Sequence, residues 1–246
     1  MSRNSENMKM HLIELFEKRC GYTPNLEYPK TFCEKHLMRK LGRDLRIPTF
    51  ADKSTAKLMI KGLSEALPIP KREKVPLVMK PNNASGCVKM VYCVEDFGPA
   101  FRAVSDKLHS KYGLDKGEWW YGEMKPVVVL EQVLPPFYEF KFFCFHGKVH
   151  YIWLVEPGTR TWFTRKGQFM DMRDQRHPIG SRKLPDVDIE RIIRAVETLS
   201  KPFDHVRVDM YYSQGTIYFG EFTFAHQSGM TRFSDPNFDR ELGGLW

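Results

Sequence analysis

The chain has 246 residues, 42% of them hydrophobic and 13% aromatic, so it can bury a large core and is neither disordered nor fibrous. Thirty-eight Lys and Arg against 30 Asp and Glu give a formal charge of +8, which predicts anionic partners without separating nucleotide, nucleic acid and acidic glycan. Five scattered cysteines with no C-x-x-C pair argue against a zinc ribbon or a disulfide scaffold.

The N-terminus, Met1 to Met10, is polar and lacks an apolar signal core, and no run reaches the ~18 apolar residues of a membrane helix; a cytoplasmic protein with no membrane span is expected. Up to about residue 70 the pattern is helical. Met8, Leu12, Leu15 and Phe16 recur at helical spacing, and Thr31-Phe-Cys-Glu34 is a capping box with Leu37, Met38 and Leu41 behind it. A further helix is predicted from Asp52, carrying Lys53, Ala56, Met59 and Ile60. Proline and charge between Pro68 and Pro76 mark a connector. Beyond it, Pro76 to Lys80 reads as a strand, residues 81–86 as a turn-rich loop and Val88 to Val94 as the returning strand. Phe97, Phe101, Val104 and Leu108 predict a helix with these four side chains on one face, and Val127 to Leu130 a short buried strand running into Glu131 and Gln132.

After Pro135-Pro136, Tyr138 to Phe145 and Lys148 to Val155 predict a hairpin around His146-Gly147, with Glu139 and Lys141 facing one side. Between Glu156 and Pro185, seven basic residues, including Arg160, Arg165, Arg173 and Arg176, face three acids. That stretch reads as a loop that is either a solvated surface or a cradle for a negatively charged substrate. Ile189, Ile192, Ile193, Val196 and Leu199 predict a helix over 186–200. The layout is α+β in three sections: helical over 1–70, central over 71–134 and C-terminal over 135–246.

The C-terminal section ends in Arg207-Val-Asp209 and Glu221-Phe-Thr223, which read as the strands of a hairpin turned at Ser213-Gln214-Gly215. With Tyr212 opposite Thr216, Asp209 and Glu221 become diagonal neighbours about 7 Å apart on one surface. Two hard carboxylates with few other protein ligands suit Mg2+, which keeps waters and completes its shell from phosphates. The same charges also suit a salt-bridged hairpin in which Arg207 neutralises both acids. Upstream, Lys80 and the small residues that follow offer phosphate a point charge and backbone amides, although neither G-x-x-x-x-G-K-[ST] nor G-x-G-x-x-G occurs.

Six segments stand in a telling order: Ala51-Asp52-Lys53, Val78 to Gly86, Lys125 to Glu131, Glu139 to Lys148, Arg207 to Tyr211 and Gly220 to Phe224. In this order the chain resembles the ATP-grasp superfamily and, within it, the TupA-like group named for teichuronopeptide biosynthesis, over roughly residues 25 to 244. The last two segments also resemble the metal-binding part of D-alanine–D-alanine ligases. The resemblance implies an ATP-grasp fold: two α+β lobes clasp ATP, next to a helical N-terminal region. It implies that Lys80 and Lys141 contact phosphates and that Ser85 and Gly86 belong to the phosphate loop. Glu131 takes the adenine amino group, the backbone at Gln132 and Val133 completes the hinge, and Glu139 joins the nucleotide site. Asp209 and Glu221 hold Mg2+, Thr223 stands where many relatives have a metal-binding Asn, and Arg207 faces the transferred phosphoryl group or the tetrahedral intermediate. Lys57 falls where the group often has Arg.

The activity so implied is an ATP-dependent carboxylate–amine ligase. The acid is expected to be a uronic-acid carboxyl of a surface glycan, neutralised by Arg160, Arg165, Arg173 or Arg176, and the amine an amino acid or a small amino alcohol. A kinase using the same nucleotide site is the alternative. A basic nucleic-acid binder is disfavoured, because the aromatic residues lie mainly on strands that need them for a core; no nucleic-acid partner is expected.

Overall fold

The computed structural model describes residues 3–63 and 75–246. Nearly all of the predicted connector lies outside them. Four helices come first: α1 (Arg3–Cys20), α2 (Phe32–Gly42), α3 (Ile47–Ala51) and α4 (Lys53–Leu63). The predicted capping box starts α2, with Glu34 N–H donating to Thr31 Oγ1 at 3.1 Å and Thr31 N–H to Glu34 Oε2 at 3.0 Å.

A small antiparallel sheet follows, made of β1 (Leu77–Pro81), β2 (Lys89–Val91) and, after α5 (Val94–Leu108) and the short α6 (Trp120–Glu123), β3 (Val128–Gln132), in the order β2-β1-β3. Two expectations change here. The returning strand stops at Val91, because the Asp96 carboxylate accepts from the Tyr92 and Cys93 amides and so draws Val94 into the helix. The buried stripe of α5 is Ala100, Val104 and Leu108, packed on Leu77, Met79 and Val91. Phe97 and Phe101 are 43% and 45% exposed and stack on each other, because a three-stranded sheet accepts only a narrow stripe, and it takes the small Ala100 at closest approach.

The large antiparallel sheet comprises β4 (Tyr138–Phe145), β5 (Lys148–Glu156), β6 (Thr159–Thr164), β7 (Phe169–Met170), β8 (His205–Ser213) and β9 (Thr216–Thr223), in the order β7-β6-β5-β4-β8-β9. The predicted basic loop therefore starts as strands. Alternation sends Phe140, Phe142, Val206 and Val208 into a core with α7 (Ile189–Ser200) and with α3 and α4. Phe143, Phe145, Tyr151, Trp153 and Trp162 form a second core on the opposite face, closed by Phe32 of α2 and by Phe238 and Leu242 of α8 (Pro236–Leu245). The N-terminal helices thus cover both faces of this sheet.

The β8–β9 hairpin departs from its predicted register. Ser213 pairs with Thr216, so the loop is the two residues Gln214-Gly215, and a bulge at Gly220 adds one residue to β9. Without the bulge Glu221 would stand opposite Val208 and face the other side; with it, Glu221 pairs directly with Asp209 and Thr223 with Arg207. A Cβ on Gly220 would lie 2.9 Å from the Asp209 carbonyl oxygen and 2.9 Å from the Tyr211 ring. Gly220→Ala is therefore expected to cost about 1–3 kcal/mol of stability, seen as a lowered urea midpoint; an unchanged midpoint would mean that the bulge tolerates a side chain.

Candidate active site

One face of the large sheet carries a row of charges set by strand pairing: Glu221 opposite Asp209, and Asp209 opposite Lys141. Asp209 is 1% exposed and takes Arg207 in a two-point grip, Nε to Oδ1 and Nη2 to Oδ2, both at 2.7 Å. Its Oδ2 also accepts from Lys141 Nζ at 2.5 Å, while the same ammonium lies 2.7 Å from Glu139. Arg207 donates further to Thr223 Oγ1 at 2.9 Å and to His226 Nδ1 at 2.8 Å. Burial, with Arg207 and Lys141 alongside, holds His226 well below the usual imidazole range, so it stays neutral and can accept.

Glu221 is the open end of the row. Its side chain keeps 30% of its surface, with Lys53 Nζ at 3.6 Å and Arg207 Nη2 at 3.7 Å. Burial would raise its pKa, but Lys53, Lys141, Arg207 and Lys80 together pull it down to about 2. The carboxylate is thus kept ionised, as a hard cation requires. Among the described residues no group of three or more His, Cys, Asp or Glu could hold a metal, so an all-protein cage is not on offer. A carboxylate pair short of further ligands fits Mg2+ arriving with phosphate oxygens. Thr223, placed between Arg207 and Glu221, orients that pair.

The opposite wall comes from α4 and the loop after β1. Asp52 caps α4 through Oδ1 and accepts from Asn82 Nδ2 through Oδ2 at 2.8 Å. Asn82, fully buried, also donates to Lys125 O and accepts from Val127 N–H, which anchors the loop at its base. Lys53 Nζ donates to Ala84 O at 2.9 Å and so ties loop to helix, while Ser85 and Gly86 stand exposed at the tip. One turn on, Lys57 reaches Glu131, which Lys80 also holds at 2.7 Å. One oxygen of Glu131 thus faces Lys57 and the other Lys80. The Val133 amide donates to Pro76 O at 3.3 Å. Lys53 and Lys57 have no role in the sequence reading, although their i,i+4 spacing on the predicted helix signalled a shared face.

Between the two walls lies a cavity of about 260 Å³. Val78, Met90, Leu134, Phe137, Tyr211 and Phe219 make it apolar, while Lys80, Glu131 and Glu139 supply charge, and Gln132 and Val133 also border it. The basic residues after β5 divide. Arg160 turns back onto its own hairpin, donating to Glu156 O and Thr159 O, and Arg165 lies on the other face with Glu190 and Glu197. Of the two, Arg165 alone has carboxylate partners among the described residues. Arg173 and Arg176 line a separate cavity with His177.

Two antiparallel sheets with a charged, apolar-floored cleft between them make this an ATP-grasp fold. The family model TupA-like ATPgrasp matches residues 18–246, and the chain belongs to that family. Among solved structures it is similar to the D-alanine–D-alanine ligase of Helicobacter pylori, at 16% identity and a TM-score of 0.50 over 80% of this chain and 61% of that one. It is also similar to the VanG D-Ala:D-Ser ligase of Enterococcus faecalis, at 13% identity and a TM-score of 0.49 over 85% and 62%. The Bacillus anthracis D-alanine–D-alanine ligase complexed with ATP gives 20% and 0.45 over 84% and 62%. The chain spans less than two thirds of the length of each. No curated protein matches it.

Because the Glu221 pKa is lowered from 4.5 to about 2, its ionised form stabilises the folded state above the unfolded-state value, and that contribution fades as the pH falls toward the folded one. Glu221→Gln should therefore lower the urea midpoint at neutral pH, with the gap to wild type closing on acidification. A gap that is constant with pH would show that the charge is not what the surrounding cations stabilise.

Proposed function

We propose that this protein is an ATP-dependent ligase joining a carboxylate to an amine through an acyl phosphate. The observation that carries this reading is the paired Asp209 and Glu221, ringed by Lys53, Lys80, Lys141 and Arg207 at the edge of an apolar cleft. The apolar cavity takes the purine, with Tyr211 beside it. Lys80 and Lys141 face the phosphates, and Lys53 and the loop ending at Ser85 and Gly86 close over them. Asp209 and Glu221 would hold Mg2+, which neutralises phosphate charge. Glu131 keeps Lys57 and Lys80 in position as their counter-charge.

A carboxylate oxygen of the substrate attacks the γ-phosphorus and the bond to ADP breaks. The amine then attacks the acyl carbon, the C–N bond forms, and the acyl C–O bond breaks, with inorganic phosphate leaving on the C–O electron pair and taking up the proton that the amine loses. Such transfer needs alignment and charge compensation more than a protein nucleophile. Arg207, braced by Asp209, Thr223 and His226, is the group placed to meet charge developing on the carboxylate. We take the carboxylate partner to be an acidic glycan building block, such as a uronic-acid sugar, on the strength of the family's TupA likeness; the +8 net charge is compatible with it.

Incubation with ATP, Mg2+, a uronate glycan and a panel of amines should yield ADP together with an amide of the expected mass, and Glu221→Ala should abolish turnover under conditions where circular dichroism shows it still folded, even though its urea midpoint is lowered as for Glu221→Gln. ADP without amide defeats the ligase assignment, and a product one phosphoryl heavier, made without amine, selects a kinase. Burial lowers the Lys80 ammonium to about 8, against the pull of Glu221. Below that pH it is charged and above it neutral, so apparent Kd for ATP should rise by up to about tenfold per pH unit on the alkaline side; an affinity by calorimetry that is flat through this range removes Lys80 from the phosphate site.

A further inference from the structure

A second polar cluster lies on the same face of the large sheet, beyond Trp153. Trp153 pairs with Lys141, and Lys141 with Asp209, so the Trp153 backbone stands roughly 10 Å from that of Asp209 at ordinary strand spacing. Against the Trp153 ring sits His177, edge-on at 5.8 Å between centroids. It borders a cavity of about 360 Å³, shared with Arg173, Arg176 and Ser234.

Asp174 organises this cavity from beneath. Its side chain is 1% exposed and accepts from the amides of Arg176 at 2.7 Å and His177 at 3.0 Å, from His177 Nδ1 at 3.1 Å and from Gln227 Nε2 at 2.6 Å. These donors fix the carboxylate in place at the floor of the cavity, across from Arg173 and Arg176. Its hydrogen bond puts the ring proton on Nδ1 and leaves Nε2 without a partner among the described residues. The backbone is pinned as well: Arg173 N–H donates to Ser234 Oγ at 3.0 Å, and Ser234 N–H to Arg173 O at 2.8 Å. Among the described residues neither Arg173 nor Arg176 has an ion pair, unlike Arg165. Gln227, held by Asp174, follows His226, held by Arg207, so one left-handed turn joins the two sites.

We infer that this cavity receives a second anionic group, carboxylate or phosphate, of a substrate whose reacting end lies at Arg207. The inference rests on the ligase reading and sharpens its substrate class. Two guanidiniums set against a single buried carboxylate, with an imidazole edge beside them, leave an excess of positive charge that suits an oxyanion. Trp153 and His226 lie between this cavity and Arg207, so the group it takes is not the reacting carboxylate. A glycan or amine partner bearing another acid group meets the cavity, and a neutral amino alcohol leaves it unused. Arg173, Arg176 and His177 are the binding groups, and Asp174 is a positioning residue.

The test uses the full chain with 15N-labelled histidine rings, titrated with glucuronate, with inorganic phosphate and, at matched ionic strength, with sodium chloride. The His177 signal, identified by its loss in His177→Asn, should shift saturably with glucuronate or phosphate, and the tighter of the two names the source of the anion. Replacing both Arg173 and Arg176 by Gln should weaken that response about tenfold or more and leave ATP affinity within about twofold. Asp174→Asn should move the Nδ1 resonance and weaken the response as well. No saturable shift, a shift that chloride reproduces, or a response unchanged in the double arginine variant overturns the site. ATP binding, followed in the same samples, separates the two ideas: an anion response without ATP binding defeats the ligase reading and keeps the cavity, and the reverse defeats the cavity alone.

Discussion

The site depends on one local constraint, the extra residue at Gly220 that brings Glu221 opposite Asp209. In a regular hairpin with the Gln214-Gly215 turn, the two acids would face opposite sides, and the pair would not exist. Once both stand on one face, their repulsion and loss of hydration must be offset. Arg207 does this for Asp209 with a two-point grip, Lys141 adds a third contact, and Lys53 approaches Glu221 from another element. The resulting patch is ionised and close to balanced, and it is open at Glu221. Such a patch can exchange one of its internal cations for a metal that brings phosphates with it.

The second wall follows from packing. Helices α3 and α4 cover the core of the large sheet through Ile47, Ala51, Ala56 and Ile60, and this packing carries Lys53 and Lys57 to the cleft. Asp52 is the joint: one carboxylate oxygen caps α4 and the other holds Asn82, so the loop after β1 and the helix keep a common position. The helical N-terminal region is therefore part of the site as well as of the core.

Much of this was legible in the amino-acid order. The capping box at Thr31 and Glu34, the amphipathic α7 and the aromatic β4 each follow from local pattern, and the elements appear within a few residues of their predicted bounds. Asp209, Glu221, Lys80 and Lys141 were singled out through the family resemblance; strand pairing sets the first two and Lys141 side by side, and Lys80 acts on Glu221 from the small sheet. What local pattern missed was decided by contacts distant in sequence. The face of α5 turned on how little room the small sheet leaves, and the partners of Arg160 and Arg165 come from a hairpin carbonyl pair and from α7. Glu131 meets two lysines from different elements. The bulge had a readable sign, since a glycine inside a strand pattern often marks one, yet the register it sets follows only from the paired partner.

The most direct test of the central claim is a crystal structure of the full chain with Mg2+ and a non-hydrolysable ATP analogue. The account predicts a magnesium ion about 2.1 Å from an oxygen of Glu221, with Asp209 in its shell, the purine in the apolar cavity beside Tyr211, and Lys80 on the phosphates. A nucleotide bound outside this cleft, or a metal with no ligand from the β8–β9 hairpin, would contradict it.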